Sequence, residues 1–297
     1  MLPGMNDWTP SMGERVLLVK RRFKKWYVIL LRRLLGFPAG WVTTKEGVRF
    51  YVDDMFIHLE TLLAHGFSVV DGKPGVVLVD PEGTCFKVKP FASFDLAHLV
   101  QMYFEKPYGS GFVGKVVIDV GASIGDSSIK FVKSGAKLVV AVEPDPERYG
   151  LLVYNVRANG LQDRVLTINK ALSSQAGTRR FHVSQRHPEV NSLDNPLVAS
   201  LGIAFDREID VETITLEDIL NNVRADHVFL KMDCEGCEYE VLQQLSARAA
   251  LAIDEVVLEY HGGTRNLPEI FRERGFSVYQ RGGYNGYIHA IKETIQP

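Results

Sequence analysis

From Lys115 to near the end of the chain, apolar residues fall into two alternating patterns. Short, mostly apolar runs at 116–120, 138–142, 165–169, 228–232 and 255–259 read as strands. Stretches with helical spacing lie between and after them, at 127–134, 146–159, 239–245 and 267–274. A run that is apolar at successive positions, without alternation, is buried on both faces, and runs of this kind that alternate with helices predict a mainly parallel, doubly wound α/β sheet. Such a sheet binds ligands beyond the carboxyl ends of its strands, near the point where strand order reverses. Ahead of it, residues 41–89 hold short runs punctuated by turn signals such as Asp71-Gly72-Lys73-Pro74 and Pro81-Glu82-Gly83, the pattern of a small β-rich subdomain. A helix is expected at 94–104 and a glycine-rich linker at 107–114. The expected division is therefore an N-terminal part, residues 1–110, and a main domain, residues 111–297.

Residues 15–35 predict one amphipathic helix. Val16, Val19, Phe23, Trp26, Tyr27, Leu30 and Leu34 form an apolar stripe at the helical period, ended by Gly36 and Pro38. Eight basic residues (Arg15, Lys20, Arg21, Arg22, Lys24, Lys25, Arg32, Arg33) and no acid share the segment. Two readings fit: the stripe packs on the protein's own body, or the helix lies in the headgroup layer of an anionic membrane.

Composition narrows the choice little. The 297-residue chain is 46% hydrophobic and 24% charged with a net charge of −2, and this bulk charge gives no sign of a nucleic-acid partner. No apolar run near the start approaches the ~20 residues of a membrane span, and no secretory signal is read, so the expected location is cytoplasmic, at the membrane periphery only under the second reading of 15–35. Oligomeric state is not legible. Three cysteines, Cys85, Cys234 and Cys237, are too few for a disulfide framework. Cys234 and Cys237 read as small apolar fillers around a functional loop, since no second Cys/His pair completes a metal site.

The most informative stretch is Asp119-Val-Gly121-Ala122-Ser123-Ile-Gly125-Asp126, which follows the first strand of the main domain and opens a helix. Glycines there let the backbone approach a nucleotide-like ligand. The spacing is Gly-x-x-x-Gly and departs from the dinucleotide fingerprint. The same residues match the hydrolase elbow Gly-x-Ser-x-Gly, but acids at the ends of this strand and the next speak against a hydrolase. Glu143, in Val142-Glu143-Pro144-Asp145-Pro146, ends the second strand twenty-four residues after Asp119, close to the ~20-residue offset of a ribose-binding acid.

These motifs, together with Asn169-Lys170-Ala171-Leu172-Ser173 and Leu230-Lys231-Met232-Asp233-Cys234-Glu235-Gly236-Cys237-Glu238, resemble the FkbM methyltransferase family. The resemblance covers about 113–278. It implies a class I fold dependent on S-adenosylmethionine (SAM), with a seven-stranded sheet whose last strand is antiparallel, and S-adenosylhomocysteine as product. By the same resemblance Gly121, Ala122, Ser123 and Gly125 line the methionine part of the cofactor, Asp119 faces its amino group, and Glu143 with Pro144 holds the ribose. Asp145, Lys170 and Ala171 border the adenine, and Asp233 lies near the transferred methyl. Ser123 stands where the family usually has Asn, and Cys234 and Cys237 where Val and Ala are common.

Relatives methylate hydroxyls, so the implied reaction is O-methylation of a sugar, glycolipid or other natural product. The fourth strand ends in Asp233-Cys-Glu-Gly and not in the Asn/Asp-Pro-Pro-Tyr stretch used on base amino groups. The rival function is a non-catalytic SAM-binding accessory protein at the membrane. Topology sends Asp233, Glu259 and His261 to strand ends on the switch-point side. His261, with a reference pKa of ~6.5, is the expected general base, with Asp233 or Glu235 orienting the acceptor. The alternative uses Asp233, Glu259 and His261 as ligands to a divalent ion. The stretch 185–207 is expected to cover the acceptor.

Overall fold

The computed structural model describes residues 9–52, 56–72, 75–89, 93–184, 187–193, 205–223 and 225–293. The chain forms two compact units, residues 1–106 and 107–297.

In the first unit the helix expected at 15–35 is two helices, α1 (Met12–Arg22) and α2 (Trp26–Leu34). The break has a local cause. Phe23 leaves the helix to form a β-bridge with Thr44, Lys24 N–H donates to Thr43 O (2.8 Å), and Lys25 takes a left-handed φ of 48°. The tertiary pairing of Phe23, whose ring packs on Phe56 at 5.7 Å, overrides a continuous helical pattern. Strands β1 (Gly40–Thr43) and β2 (Arg49–Val52) pair antiparallel, helix α3 (Phe56–Ala64) follows, and β3 (Ser68–Asp71), β4 (Val76–Val79) and β5 (Cys85–Val88) make an antiparallel three-stranded sheet before helix α4 (Ser93–Val100). Val19, Phe23 and Ile29 turn inward, each under 5% exposed. One buried carboxylate ties both N-terminal helices to α3: Glu60 accepts from Arg15 Nε at 2.9 Å and Arg33 Nη1 at 2.6 Å.

The second unit is built on the seven-stranded sheet. Its strands in chain order are β6 (Val116–Val120), β7 (Leu138–Val142), β8 (Val165–Ile168), β12 (Val228–Met232), β13 (Glu255–His261), β14 (Phe276–Gly282) and β15 (Asn285–Lys292). The spatial order is β14-β15-β13-β12-β6-β7-β8. All neighbours among β13, β12, β6, β7 and β8 are parallel, and β15 runs antiparallel to both β13 and β14. This is the class I methyltransferase fold that the sequence implies. Every residue of β6 and β12 is buried, as apolar runs without alternation require. Helices α5 (Asp126–Lys133) and α6 (Pro146–Ala158) carry the chain from β6 through β7 to β8; the chain then returns to β12 on the other side of β6, so strand order reverses between β6 and β12. Strands β9 (Ala171–Leu172), β10 (Gly177–Val183) and β11 (Arg207–Ile214) form a separate three-stranded sheet. Of the stretch expected to cover the acceptor, residues 185–186 and 194–204 lie outside the described residues.

The two arginines that neutralise Glu60 carry a prediction. Replacing both, Arg15→Met with Arg33→Met, strands a buried carboxylate and should cost about 3 kcal/mol of stability in urea unfolding. Either single change should cost clearly less, because one partner remains, and an unchanged midpoint for the double variant would remove Glu60 as the tie.

Candidate active site

The strands at the reversal point each carry one charge in an otherwise apolar run. Asp119 of β6 and Lys231 of β12 are register partners, so both side chains leave the same face of the sheet. Their side chains are 0% and 2% exposed, and Lys231 Nζ lies 3.1 Å from Asp119 Oδ1. The ammonium also donates to the carbonyls of Val120 (3.1 Å) and Gly121 (2.9 Å), and Asp119 Oδ2 accepts from Ser127 Oγ (2.7 Å) and Ser128 Oγ (2.5 Å). Burial alone would lower the Lys231 pKa, but Asp119 and Asp233 outweigh it and hold the value above the ordinary one. The pair thus fastens strand, loop and the start of α5 together. Sequence reasoning gave Lys231 no role; the available signal was a lone lysine in Val-Phe-Leu-Lys-Met, which needs a buried anion on the adjacent strand.

The loop that this pair anchors passes close to the neighbouring turn. Gly121 has φ 73°, and a Cβ there would sit 1.8 Å from the Asp233 carbonyl oxygen, so only glycine fits. Ser123 also takes a left-handed φ of 51°, and its backbone N–H donates to Glu143 Oε2 (2.8 Å). Glu143 Oε1 accepts from Asp145 N (2.8 Å). Each carboxylate oxygen keeps a further lone pair, a pair of acceptors suited to the two hydroxyls of a ribose. Burial, and then the charge of Asp145, raise the Glu143 pKa to about 7 against the backbone hydrogen bonds and Arg148, which lower it. Asp145 caps α6 through Glu147 N (2.9 Å) and accepts from Asn191 Nδ2 (3.0 Å). Pro144 lies half-buried between the two acids, and Ala122 and Gly125 are buried in the loop.

A second group of charges gathers where β12 and β13 end. His261 Nδ1 is 3.6 Å from Glu235 Oε2, and His261 Nε2 is 3.6 Å from Glu259 Oε1. Asp233 accepts from Tyr108 Oη (3.2 Å) and Glu259 from Tyr287 Oη (2.8 Å). Burial raises Glu235 well above the usual carboxylate range, opposed by the His261 charge and reinforced by Asp233, Glu238 and Glu259. His261 moves the other way from what its burial would give: Glu259, Glu235 and Asp233 raise it to about 9. A ring held among carboxylates favours its protonated form, which weighs against the neutral-base role expected for His261. Glu238 is fully buried and accepts from Cys234 N (2.7 Å) and Gly236 N (2.8 Å), closing the turn. Cys234 and Cys237 are disulfide-bonded, which corrects their reading as apolar fillers. Positive φ at Glu235 and Gly236 curls the turn and brings the two Cα atoms to 5.5 Å, within bridging range. Among the described residues, no group of three or more His, Cys, Asp or Glu side chains is arranged to hold a metal ion.

Residues 119–278, more than half of the chain, match the family described as "Methyltransferase FkbM domain". The chain belongs to the FkbM methyltransferase family. It is 27% identical over 190 residues to methyltransferase sdnD of Sordaria araneosa, an overlap covering 54% of this chain and 73% of that protein. Among solved structures it is similar to magnesium protoporphyrin IX methyltransferase of Synechocystis PCC 6803 with bound SAM (12% identity, 66% of this chain, 77% of that one, TM-score 0.36). It is also similar to precorrin-6y C5,15-methyltransferase of Geobacter metallireducens GS-15 (14% identity, 69% and 92%, TM-score 0.37). The cofactor of an FkbM methyltransferase is SAM, and the glycine loop and the Glu143 carboxylate fit it.

Within this FkbM domain most of the sequence-derived site residues fall into two groups, and Asp119, Lys170 and Ala171 lie outside both. Gly121, Ala122, Ser123, Gly125, Glu143, Pro144 and Asp145 share one connected turn system, and Asp233, Glu235, Glu259 and His261 form the charged cluster. Asp119 is engaged by Lys231, Ser127 and Ser128 with no exposed surface, so it supports the loop from behind. Lys170 pairs with the exposed Glu212 at 2.8 Å, and Ala171 is buried in the small sheet's own apolar cluster. Asn169 is the member of that stretch that reaches the Glu143 turn, donating to Glu143 O (2.8 Å) and Pro144 O (3.1 Å). Ser123, the residue that mimics a hydrolase nucleophile, has its Oγ held by Arg148 Nη2 at 2.6 Å. A guanidinium cannot accept a proton, so no serine nucleophile is activated there.

The ion pair makes its own prediction. Lys231→Met should destabilise the protein by about 3–5 kcal/mol, since it leaves Asp119 charged and buried. Asp119→Asn added to Lys231→Met removes that charge and should restore part of the loss. Equal stability of the single and double variants, read from thermal unfolding, would show that the two residues are not coupled.

Proposed function

We propose that this FkbM methyltransferase transfers the methyl group of SAM to a hydroxyl oxygen of a sugar, glycolipid or other natural product, releasing S-adenosylhomocysteine. The observation that carries the reading is the cluster of Asp233, Glu235, Glu259 and His261 at the ends of β12 and β13, next to the glycine loop. When bound, SAM supplies an electrophilic methyl group on a sulfonium. A hydroxyl is a poor nucleophile until its proton has somewhere to go, so a proton acceptor beside the acceptor oxygen is the requirement the protein must meet.

Glu235 is the group best suited to that task. Burial and the neighbouring acids raise its proton affinity, and the His261 ring at 3.6 Å opposes that rise and favours the ionised, proton-accepting form. His261 in turn is oriented between Glu235 and Glu259, and Tyr287 fixes the outer oxygen of Glu259. Asp233, held by Tyr108 and placed beside Gly121 by the crossing of the two loops, orients the acceptor. On the cofactor side, Glu143 holds the ribose hydroxyls, and the backbone of Gly121 to Gly125 follows the methionine part.

Two measurements check the cofactor half. Calorimetry should show binding of SAM and S-adenosylhomocysteine and none of NAD, and Glu143→Ala should weaken SAM by about 1–3 kcal/mol, the usual cost of stranding buried hydrogen-bonding partners. Ribose hydroxyls donate to the ionised form of Glu143, whose pKa lies at about 7. Wild-type affinity should therefore rise as pH increases through 7 and then level off, a dependence that Glu143→Gln abolishes. NAD binding without SAM binding would overturn the cofactor assignment.

The catalytic half is checked by labelled-methyl transfer from SAM to a panel of sugars and hydroxylated small molecules. Glu235→Gln should slow turnover about 100-fold or more with SAM affinity retained, in the range usual for loss of a general base. Wild-type turnover in both Glu235→Gln and His261→Ala would remove the cluster from the chemistry. Loss of activity on adding a chelator would reassign Asp233, Glu259 and His261 to a metal.

A further inference from the structure

Helix α2 is apolar on two sides, and only one of them is used by the fold. Ile29 is 4% exposed and Arg33 reaches the buried Glu60, which defines the inward side. The opposite side presents Tyr27, Leu31 and Leu34 at helical spacing, and the chain continues with Leu35, Phe37 and Trp41, all six between 55% and 83% exposed. Six large apolar side chains exposed within fifteen residues exceed the scattered single exposures normal for a protein surface and mark a site of interaction.

The charges around these residues indicate what covers them. Lys20, Arg21, Lys24, Lys25, Arg32 and Arg49 are all exposed on the same short segments. The Arg49 guanidinium stacks over the Trp41 ring at 5.0 Å, and Lys20 lies over Trp26 at 5.7 Å. The mixture is aromatic rings, long aliphatic side chains and cations with flexible stems. Such stems can lie along apolar surface while their charged ends reach outward. This composition complements an anionic lipid surface, where apolar side chains enter the acyl boundary and basic ones meet the headgroups. The core of a protein–protein interface is depleted of lysine, so a face bordered by the exposed Lys20, Lys24 and Lys25 suits it poorly. Helix α2 has nine residues, and no described helix is long enough and apolar enough to cross a membrane, so contact would be in the plane of the interface.

We propose that the face formed by Tyr27, Leu31, Leu34, Leu35, Phe37 and Trp41, with its surrounding lysines and arginines, docks this methyltransferase on the surface of an anionic bilayer. The stripe inferred from sequence and the docking face share only Tyr27 and Leu34: Val19 and Phe23 of the stripe lie with Ile29 in the protein's core, and the face turned outward is the one left over.

The test is flotation of the full chain with vesicles of phosphatidylcholine alone and of phosphatidylcholine mixed equally with phosphatidylserine. The chain should float with the anionic vesicles only, and added salt should reduce the fraction bound. Leu31→Ser with Leu34→Ser and Phe37→Ser, and separately Lys24→Glu with Lys25→Glu, should each lower vesicle binding about tenfold or more. Because these side chains are exposed, circular dichroism and SAM affinity should match the wild type, which separates lost docking from lost folding. Absence of binding to anionic vesicles by the wild type would overturn the proposal. So would sedimentation showing a dimer that the serine variant dissociates, which would give the face to a second copy of the chain.

Discussion

A buried positive charge next to a buried negative one, on adjacent parallel strands, is the constraint on which the site depends. Neither Asp119 nor Lys231 could occupy the interior alone, because an isolated ion there costs several kcal/mol. Together they neutralise each other, and their remaining hydrogen bonds fall on the loop and helix that begin beyond the strands. Lys231 reaches two successive carbonyls of the glycine loop, and Asp119 reaches two serines of the first helical turn. The loop is consequently fixed from beneath by charge and from the side by the Asp233 turn, so close to Gly121 that no side chain fits between them.

From that fixed loop the two halves of the proposed chemistry follow. Ser123 N–H aims Glu143, and the pairing of β12 with β6 and β13 places Asp233 and His261 at neighbouring strand ends. The electrostatics differ between the two sides. Glu143 stands among backbone donors and one arginine, and titrates at about 7. The cluster around His261 has more carboxylates than cations, which holds the imidazole proton up to about 9 and creates a strongly anionic environment. Such an environment favours a sulfonium cofactor and a proton-accepting carboxylate together, since each positive charge or proton brought in relieves repulsion among the acids.

Much of this was legible in the residues. Mostly apolar runs announced a parallel sheet. Glu143 and Asp233 could be placed at strand ends because each directly follows such a run, and Asp119 and Glu259 because they stand in its last two positions. The resemblance of four short motifs to the FkbM family supplied the cofactor. What was hidden depended on long-range partners. The split of the N-terminal helix at Phe23 arises from a bridge to Thr44, twenty-one residues away, and helical periodicity carries no trace of it. The raised pKa of His261 comes first from Glu259, two residues back on the same strand, and then from Glu235 and Asp233 on the neighbouring strand's turn, whereas a sequence offers only the reference value. The Cys234–Cys237 disulfide depends on left-handed backbone at Glu235, a residue type that does not advertise it. Lys231 was readable in principle: a single charge in a buried strand must have a partner, and the acid in β6 was the one available.

The most direct test of this account is SAM affinity, by calorimetry, in the Asp119→Asn/Lys231→Met variant. That protein has lost the pair but keeps every other residue assigned to the cofactor or the acceptor. If the pair positions the glycine loop, the folded variant should bind SAM at least about tenfold more weakly than the wild type, a change of ~1.4 kcal/mol. Wild-type affinity in the folded variant would contradict it, and would mean that Gly121, Ser123 and Glu143 hold their arrangement without the buried charges beneath them.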